Sequence, residues 1–348
     1  MTIDLRRVAR TLSAVENRRP EADALLREAY ALTRAVPVIG LTGPPGAGKS
    51  TLVDLVALHW AERGERVAVL AVDPSSPYTG GAVLGDRFRM DKASAHPNVF
   101  VRSLSSRGHV GGLSRAVQDI VTVLGALDFD RVLVETVGSG QSDIEVAQLA
   151  DCVVVVSVPG LGDQMQAAKA GILEIGDAYA VNKSDLPGAE TVAGHLTANL
   201  DLIYPGVGGV NDETVSGHGV LAANAALHQR HGQAQQGEAF WRPPVLRVSA
   251  RQGSGVAELA AACDAFLAWQ QRSGRAPLRR AERRRQQLLR LVTARLLDAA
   301  AGQALAPALE AQMQALSAGR CTPDEAADGV IEALCGVWIR QRGFGAPR

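Results

Sequence analysis

Gly43-Pro44-Pro45-Gly46-Ala47-Gly48-Lys49-Ser50 reads G-x-x-x-x-G-K-[ST], the pattern of a loop that wraps phosphate. Its flanks fit that reading. An apolar run, Val36 to Leu41, precedes it, and a helical pattern, Ser50 to Arg63, follows it. That is the strand–loop–helix context the motif needs. Glycines let the backbone curl until successive N–H groups point inward at phosphate oxygens, and the positive end of the next helix adds to the cradle. The reading sets Gly46, Ala47, Gly48, Lys49, Ser50 and Thr51 against nucleotide phosphates. Lys49 would face the β- and γ-phosphates and the Ser50 hydroxyl would ligate Mg²⁺.

A second, distant motif chooses the base. Asn182-Lys183-Ser184-Asp185 follows the apolar run Ala178 to Val181 and reads N-K-x-D. Guanine presents two donors on one edge, and a carboxylate at Asp185 accepts both. Adenine has no such pair, so a buried Asp185 would be left unpaired and the wrong base rejected. Lys183 would lay its aliphatic stem along the base, and Asn182 would tie this loop to the phosphate loop. Ser249-Ala250-Arg251 follows a further strand, Pro244 to Val248, from which Ser249 and Ala250 would offer backbone donors to the guanine O6. Together these motifs favour GTP over ATP.

Composition sets wider bounds. The chain has 348 residues, 47% of them hydrophobic, enough for one large α/β domain with helical additions. The formal net charge is zero, which gives no reason to expect nucleic acid or an anionic membrane as partner. The four cysteines, Cys152, Cys263, Cys321 and Cys335, form no C-x-x-C pair and read as reduced core residues of a cytoplasmic protein. Met1 to Arg10 has no apolar signal core, and the longest apolar run, Cys152 to Val158, is too short to span a bilayer. The seven histidines show no ligand spacing. The run Arg279-Arg280-Ala281-Glu282-Arg283-Arg284-Arg285 reads as the exposed side of an amphipathic helix.

Leu5 to Arg34 carries helical spacing split near Arg19-Pro20. From there short Val-rich strands alternate with helices: Val36–Thr42, Arg66–Val72, Val99–Ser103, Arg131–Thr136, Cys152–Val158, Ala178–Val181 and Pro244–Val248. Near-continuous apolar strands predict a parallel sheet covered on both faces. Residues 204–237 are rich in Gly, Asn, Gln and His and read as an insertion, with a short helix over Val220 to His231. Three helices are expected at the end: Leu278 to Ala301, Ala304 to Ala318 and Thr322 to Arg342. The expected organisation is an N-terminal helical extension (1–35), a nucleotide-binding domain (36–272) and a C-terminal helical arm (273–348).

Acidic residues punctuate the strand ends. Asp73 ends the second strand, at the edge where parallel sheets bind ligands. Asp86 follows in Leu84-Gly85-Asp86-Arg87. Glu135 opens Glu135-Thr136-Val137-Gly138, similar to a D-x-x-G element with Glu for Asp. In that element the acid faces Mg²⁺ and the glycine N–H, here Gly138, meets the γ-phosphate.

At these residues the chain resembles the MeaB/ArgK family of G-protein chaperones. The likeness lies in Val72-Asp73-Pro74-Ser75-Ser76-Pro77 through Thr79-Gly80-Gly81, in Leu84-Gly85-Asp86 and in Arg89-Met90. It continues through His96-Pro97-Asn98, Val134 to Gly138 with Gly140-Gln141-Ser142, and Val158-Pro159-Gly160 with Gly162-Asp163. The resemblance implies a P-loop NTPase fold and a GTPase that uses GTP/GDP and Mg²⁺ to assist an adenosylcobalamin-dependent acyl-CoA mutase of the methylmalonyl-CoA mutase type. Such proteins gate cobalamin delivery, protect the mutase and help eject damaged cofactor. They are typically homodimers held by C-terminal helices. It also implies that Lys49, Asp73, Asp86 and Glu135 serve catalysis, with Ser50, Asp73, Asp86 and Glu135 around the metal. Asp163 and Lys169 match a third switch loop that responds to the mutase, where Gln164-Met165 replaces the usual Glu-Leu.

The sequence marks no general base and singles out no arginine finger, for which Arg87, Arg89, Arg107 and Arg115 stay open alongside surface or structural roles, so slow intrinsic hydrolysis, raised by a partner, is expected. Two other readings share the phosphate loop. A GTP-dependent nickel-type insertion chaperone would carry a Cys/His cluster, and a small-molecule kinase would bind ATP and have no use for Asn182-Lys183-Ser184-Asp185.

Overall fold

The structure is a computed structural model describing residues 4–32, 34–73, 90–105, 112–136, 146, 148–160, 175–204, 241–300 and 305–342. Its centre is a seven-stranded sheet in which every pairing is parallel. The strands are β1 (Val38–Thr42), β2 (Val67–Asp73), β3 (Val99–Ser105), β4 (Arg131–Thr136), β5 (Cys152–Ser157), β6 (Ala178–Val181) and β7 (Val245–Arg247). Their order is β3-β2-β4-β1-β5-β6-β7. The seven segments expected from the apolar runs are all present, with ends shifted by a few residues.

Alternate side chains of each strand enter different cores. Val132 and Val134 of β4 join one hydrophobic cluster and Leu133 the other. On β5, Val153 and Val155 face one way and Cys152, Val154 and Val156 the other. Period-two alternation with both faces buried is why these strands look uniformly apolar in sequence. The first face is covered by α1 (Leu5–Glu16), α2 (Ala22–Ala31), α5 (Gly112–Ala126) and α6 (Ala189–Ile203). The second is covered by α3 (Lys49–Glu62), the single turn α4 (Asp91–Ser94) and α7 (Val256–Arg272). Arg102 of β3 holds α1 through Glu16, Ser13 and the Ala9 carbonyl. Asp119 of α5 accepts from Arg18 (3.3 Å) and Tyr30 (3.2 Å).

β1 lies between β4 and β5, and its centre is unusually tight. A Cβ on Gly40 would sit 2.4 Å from Val146 Cγ1 and 3.0 Å from Ala150 Cβ. The absent side chain lets that segment pack directly on the strand.

The chain leaves α6 at Tyr204, and the next described residue is Trp241. Both stems are fastened. Arg242 bridges Asp201 at 2.5 Å, and the Trp241 indole donates to the Asp177 carbonyl at 2.9 Å. Trp241 also packs on Phe266 and Trp269 of α7, with ring centroids 5.0 and 6.0 Å away. These anchors stand at the amino ends of β6 and β7. The expected helix over Val220 to His231 lies outside the described residues.

The chain divides into two compact units, Met1–Arg283 and Arg284–Arg348. Helix α8 (Arg275–Ala300) begins in the first and continues into the second, which also holds α9 (Ala306–Ser317) and α10 (Pro323–Arg342). A reciprocal capping box opens α10. The Thr322 amide donates to Glu325 (2.8 Å) and the Glu325 amide to the Thr322 hydroxyl (3.2 Å). No described helix is long and apolar enough to cross a membrane.

Two expectations need correction. Cys152 and Cys263 are buried, but Cys321 is half-buried and Cys335 exposed, so only two of the four cysteines belong to the core. The arginine run of α8 is not simply a solvated face. Arg279 donates to the Asp151 carbonyl at 3.0 Å, and Arg283 bonds both the Leu149 carbonyl and the Asp151 carboxylate. Asp151 also accepts the Val38 amide at 2.9 Å. A buried carboxylate needs such partners, and the arginines supply them from the start of α8.

Candidate functional site

The phosphate loop leaves the carboxyl end of β1, between the neighbours β4 and β5. Crevices at that edge of an open parallel sheet are where ligands bind. Two of its glycines are obligatory. Gly43 has φ 142°, and a Cβ there would lie 2.2 Å from the Val156 carbonyl oxygen. Gly48, at φ 82°, is the N-cap of α3, and a Cβ there would meet Asn182 Nδ2 at 2.5 Å. Gly46 is also left-handed, at φ 75°.

Lys49 is buried. Its Nζ donates to the carbonyls of Gly43 (2.8 Å) and Pro44 (3.1 Å), so the ammonium lies under the loop. A cleft of about 360 Å³ opens beside it, lined by Pro45, Gly46, Ser50, Thr51, Glu135 and Thr136 among others. In its wall the Ser50 hydroxyl donates to Glu135 Oε1 at 2.6 Å. The two predicted metal-side oxygens from α3 and β4 are thus in contact, 85 residues apart in sequence. Asp73 closes β2 at the same sheet edge. Asp86, Gly138, Asp163, Gln164 and Lys169 lie outside the described residues.

The second motif arrives beside the first. Asn182 is buried and reaches in two directions. Its Nδ2 donates to the Ala47 carbonyl at 2.8 Å, and its Oδ1 accepts the Ala250 amide at 3.0 Å. One side chain therefore joins the phosphate loop, the N-K-x-D turn and the turn after β7. Lys183 holds the left-handed conformation at φ 57°. That is uncommon for a lysine and is imposed by the turn, in which Leu186 N–H bonds the Lys183 carbonyl at 2.9 Å and Ser184 N–H the Val248 carbonyl at 3.0 Å.

Asp185 is exposed, not buried as expected. Its orientation comes from the Ser249 hydroxyl, which donates to Oδ1 at 2.6 Å. That bond, with the Asp185 backbone amide and the nearby Arg251 and Lys183 charges, holds the carboxyl below the usual carboxylate range. The sequence reading assigned Ser249 a backbone role and missed its hydroxyl. In this structure Ser249 N–H is engaged by the Ser254 carbonyl (2.9 Å), and Ala250 N–H by Asn182. Gly255, at φ 75°, closes the turn where a Cβ would lie 2.4 Å from the Arg247 carbonyl oxygen.

The chemistry of this arrangement is that of an anion cradle with a buried cation, a hydroxyl–carboxylate pair at its rim and an exposed, ionised carboxylate beside it. Ser50 and Glu135 offer hard oxygen donors, the kind Mg²⁺ takes. Among the described residues no group of three or more His, Cys, Asp or Glu side chains could hold a metal ion.

Known proteins resemble this chain over most of its length. Residues 8–304 match the family model described as "Methylmalonyl Co-A mutase-associated GTPase MeaB". A putative GTPase of Pyrococcus abyssi is 35% identical over 333 residues, covering 96% of this chain and 94% of that protein. The GTPase ArgK of Escherichia coli is 33% identical over 258 residues, covering 72% and 69%. A solved LAO/AO transport system kinase superposes with TM-score 0.66 at 23% identity, over 94% of this chain and 93% of the other, a likeness of fold. A phosphate loop and a guanine-type motif joined by one asparagine, on a sequence matched over most of its length, identify the chain as a member of the MeaB family of GTPases.

Proposed function

We propose that this protein binds and hydrolyses GTP and uses that cycle to assist an adenosylcobalamin-dependent acyl-CoA mutase. It would gate cobalamin loading and protect or reactivate the enzyme. The observation that supports the nucleotide half is the Asn182 bridge, which ties the N-K-x-D turn and the turn after β7 to the phosphate loop. The partner half rests on the family, which is described by its association with methylmalonyl-CoA mutase.

In this reading loop amides and Lys49 bind the β- and γ-phosphates and offset charge on the transferring phosphoryl group. Lys49 would exchange its two carbonyl partners for phosphate oxygens. Ser50 and Glu135 would hold Mg²⁺, which when bound screens the same oxygens. Asp185 would accept both donors of the guanine edge, Lys183 would cover the base, and Ser249 would keep the carboxylate turned toward it. Asp73, Asp86 and Gly138 would complete the phosphate side, while Asp163, Gln164 and Lys169 would answer to the mutase. We place the protein in the cytoplasm.

The second unit would dimerise. Leu288, Leu289, Val292, Leu296 and Leu297 of α8 are all exposed, as are Leu309 and Met313 of α9. Apolar surface repeated at helical spacing favours association with a second copy.

Hydrolysis of GTP, measured alone and with candidate cobalamin mutases, tests the proposal. Faster turnover with one mutase supports it, and no stimulation by any of them removes the partner half. Lys49→Ala should lose triphosphate binding, and Asp185→Asn should shift preference from guanine toward xanthine. Unchanged GTP affinity in both variants overturns the site.

A further inference from the structure

Two thiols that the proposed chemistry does not use touch one another inside the core. Cys152 opens β5, Cys263 lies midway along α7, and both are fully buried. A hydrogen bond joins their side chains. Val154 of β5, Leu259 and Phe266 of α7 and Val53 and Val56 of α3 surround them in one apolar cluster. Cys321 and Cys335 belong to the second unit. Among the described residues no group of three or more His, Cys, Asp or Glu side chains could hold a metal ion. The chemistry open to the pair is to join to itself.

Contact satisfies the geometry of that step. A disulfide requires Cβ atoms about 4 Å apart and correctly aimed, and thiols already bonded to each other need only a small shift. Reactivity is another matter in the closed fold. The attacking species is the thiolate, and the bond from Cys263 together with burial holds the Cys152 thiol well above its ordinary value. A thiol without exposed surface meets no oxidant. The pair is therefore inert until α7 parts from β5, a local opening of the kind folded proteins undergo.

That opening reaches the nucleotide site through neighbouring residues. Helix α7 starts at Val256, directly after the turn from Ser249 to Gly255. In that turn the Ser249 hydroxyl orients Asp185, and the Ala250 amide bonds Asn182. The same helix packs on α3, which begins with Lys49. We propose that Cys152 and Cys263 are a latent disulfide site, shielded while nucleotide holds the turn before α7 and oxidised by peroxide when α7 lifts from the sheet of the empty protein. The shielding rests on the nucleotide reading above; the thiol contact does not. One thiol, deprotonated, attacks the peroxide O–O bond and takes up one oxygen as a sulfenic acid, and the other oxygen leaves as water. The second thiol attacks that sulfur and expels its oxygen as a second water. The S–S bond has formed, two thiols have lost two electrons, and the peroxide has been reduced by two.

The test uses the full chain with Cys321→Ser and Cys335→Ser, so that only the buried pair reacts. It is treated with hydrogen peroxide with and without GDP, and free thiols are counted after denaturation. Binding of a fluorescent GDP analogue is measured on the same sample. Both thiols should vanish together, and peptide mass mapping should find Cys152 linked to Cys263. GDP at about 100 times its Kd should slow the loss about 100-fold, because a ligand that binds only the closed form depletes the open one by that factor. The oxidised protein should melt at a higher temperature, and reduction should reverse the gain. Thiols that survive peroxide in the empty protein, or that end as unlinked acids, overturn the proposal. Oxidation at an unchanged rate with GDP bound overturns the shielding. If the disulfide forms but GDP does not bind, the nucleotide reading fails and the thiol site stands without its gate.

Discussion

Replacing Asn182 with alanine should disconnect the two halves of the site. The substitution removes both polar atoms of a side chain that is 1% exposed. The Ala47 carbonyl then loses its 2.8 Å donor in a fully buried residue. An orphaned buried acceptor costs about 1–3 kcal/mol. The Ala250 amide loses its 3.0 Å acceptor, but Ala250 is half-buried and water can reach it, so the loss there is about 0.5–1.5 kcal/mol. Together these give about 1.5–4.5 kcal/mol against the assembled site. If that free energy falls on the joined arrangement, GDP affinity should drop by about tenfold or more, a factor of ten for each ~1.4 kcal/mol. Titration with a fluorescent GDP analogue reads the loss, and thermal unfolding reads the stability component. Selectivity adds a sharper criterion. The ratio of guanine to xanthine nucleotide affinity should not move, because Asp185 and Ser249 remain. Affinity within twofold of wild type would refute the bridging role, and a changed base ratio would refute the separation of bridging from reading.

Gly40→Ala should destabilise by about 1–3 kcal/mol, since its Cβ would press on Val146 and Ala150 in a packed interior; urea unfolding measures it. Asp151→Ala takes the carboxylate partner from Arg283 and the acceptor from the Val38 amide, and breaking a buried pair from one side costs about 3–5 kcal/mol, read by the same unfolding curve. Asp54, buried on α3, gives a pH test. Burial raises its folded pKa above the unfolded 3.8, so its contribution to stability is complete below 3.8 and is lost as pH rises through the folded value. Asp54→Asn cannot ionise. Its Tm relative to wild type should therefore improve as pH is raised from about 4 to about 7, and a flat difference would contradict the burial argument.

The fold was legible because its strands are buried on both sides. Val132, Leu133 and Val134 fill two cores in turn, and that produces the unbroken apolar runs visible in the sequence. The phosphate loop and Asn182 to Asp185 were legible because each is local, a short stretch whose residues act together. The link between them through Asn182 followed from the chemistry of the motif. Other features were hidden for one shared reason. Asp54, Asp151 and Arg283 are charged residues whose partners lie 39, 113 and 132 positions away. Hydrophobic periodicity marks every charge as solvent-facing, because it contains no account of a distant amide or carbonyl. The same habit made the α8 arginines look like a wet face. Asp185 erred in the opposite direction: its expected role suggested burial, yet the carboxylate is exposed.

The fastened stems at Tyr204 and Trp241 have a practical consequence. Asp201 is clasped to Arg242 and Trp241 to Asp177, beside the amino ends of β6 and β7, whereas the phosphate loop and the N-K-x-D turn leave the carboxyl ends of β1 and β6. Whatever is spliced between those stems begins and finishes at that amino-terminal side of the sheet. A reporter domain or an affinity handle grafted there should leave guanine nucleotide turnover intact, making this the natural place to tether the protein for single-molecule or surface-capture work.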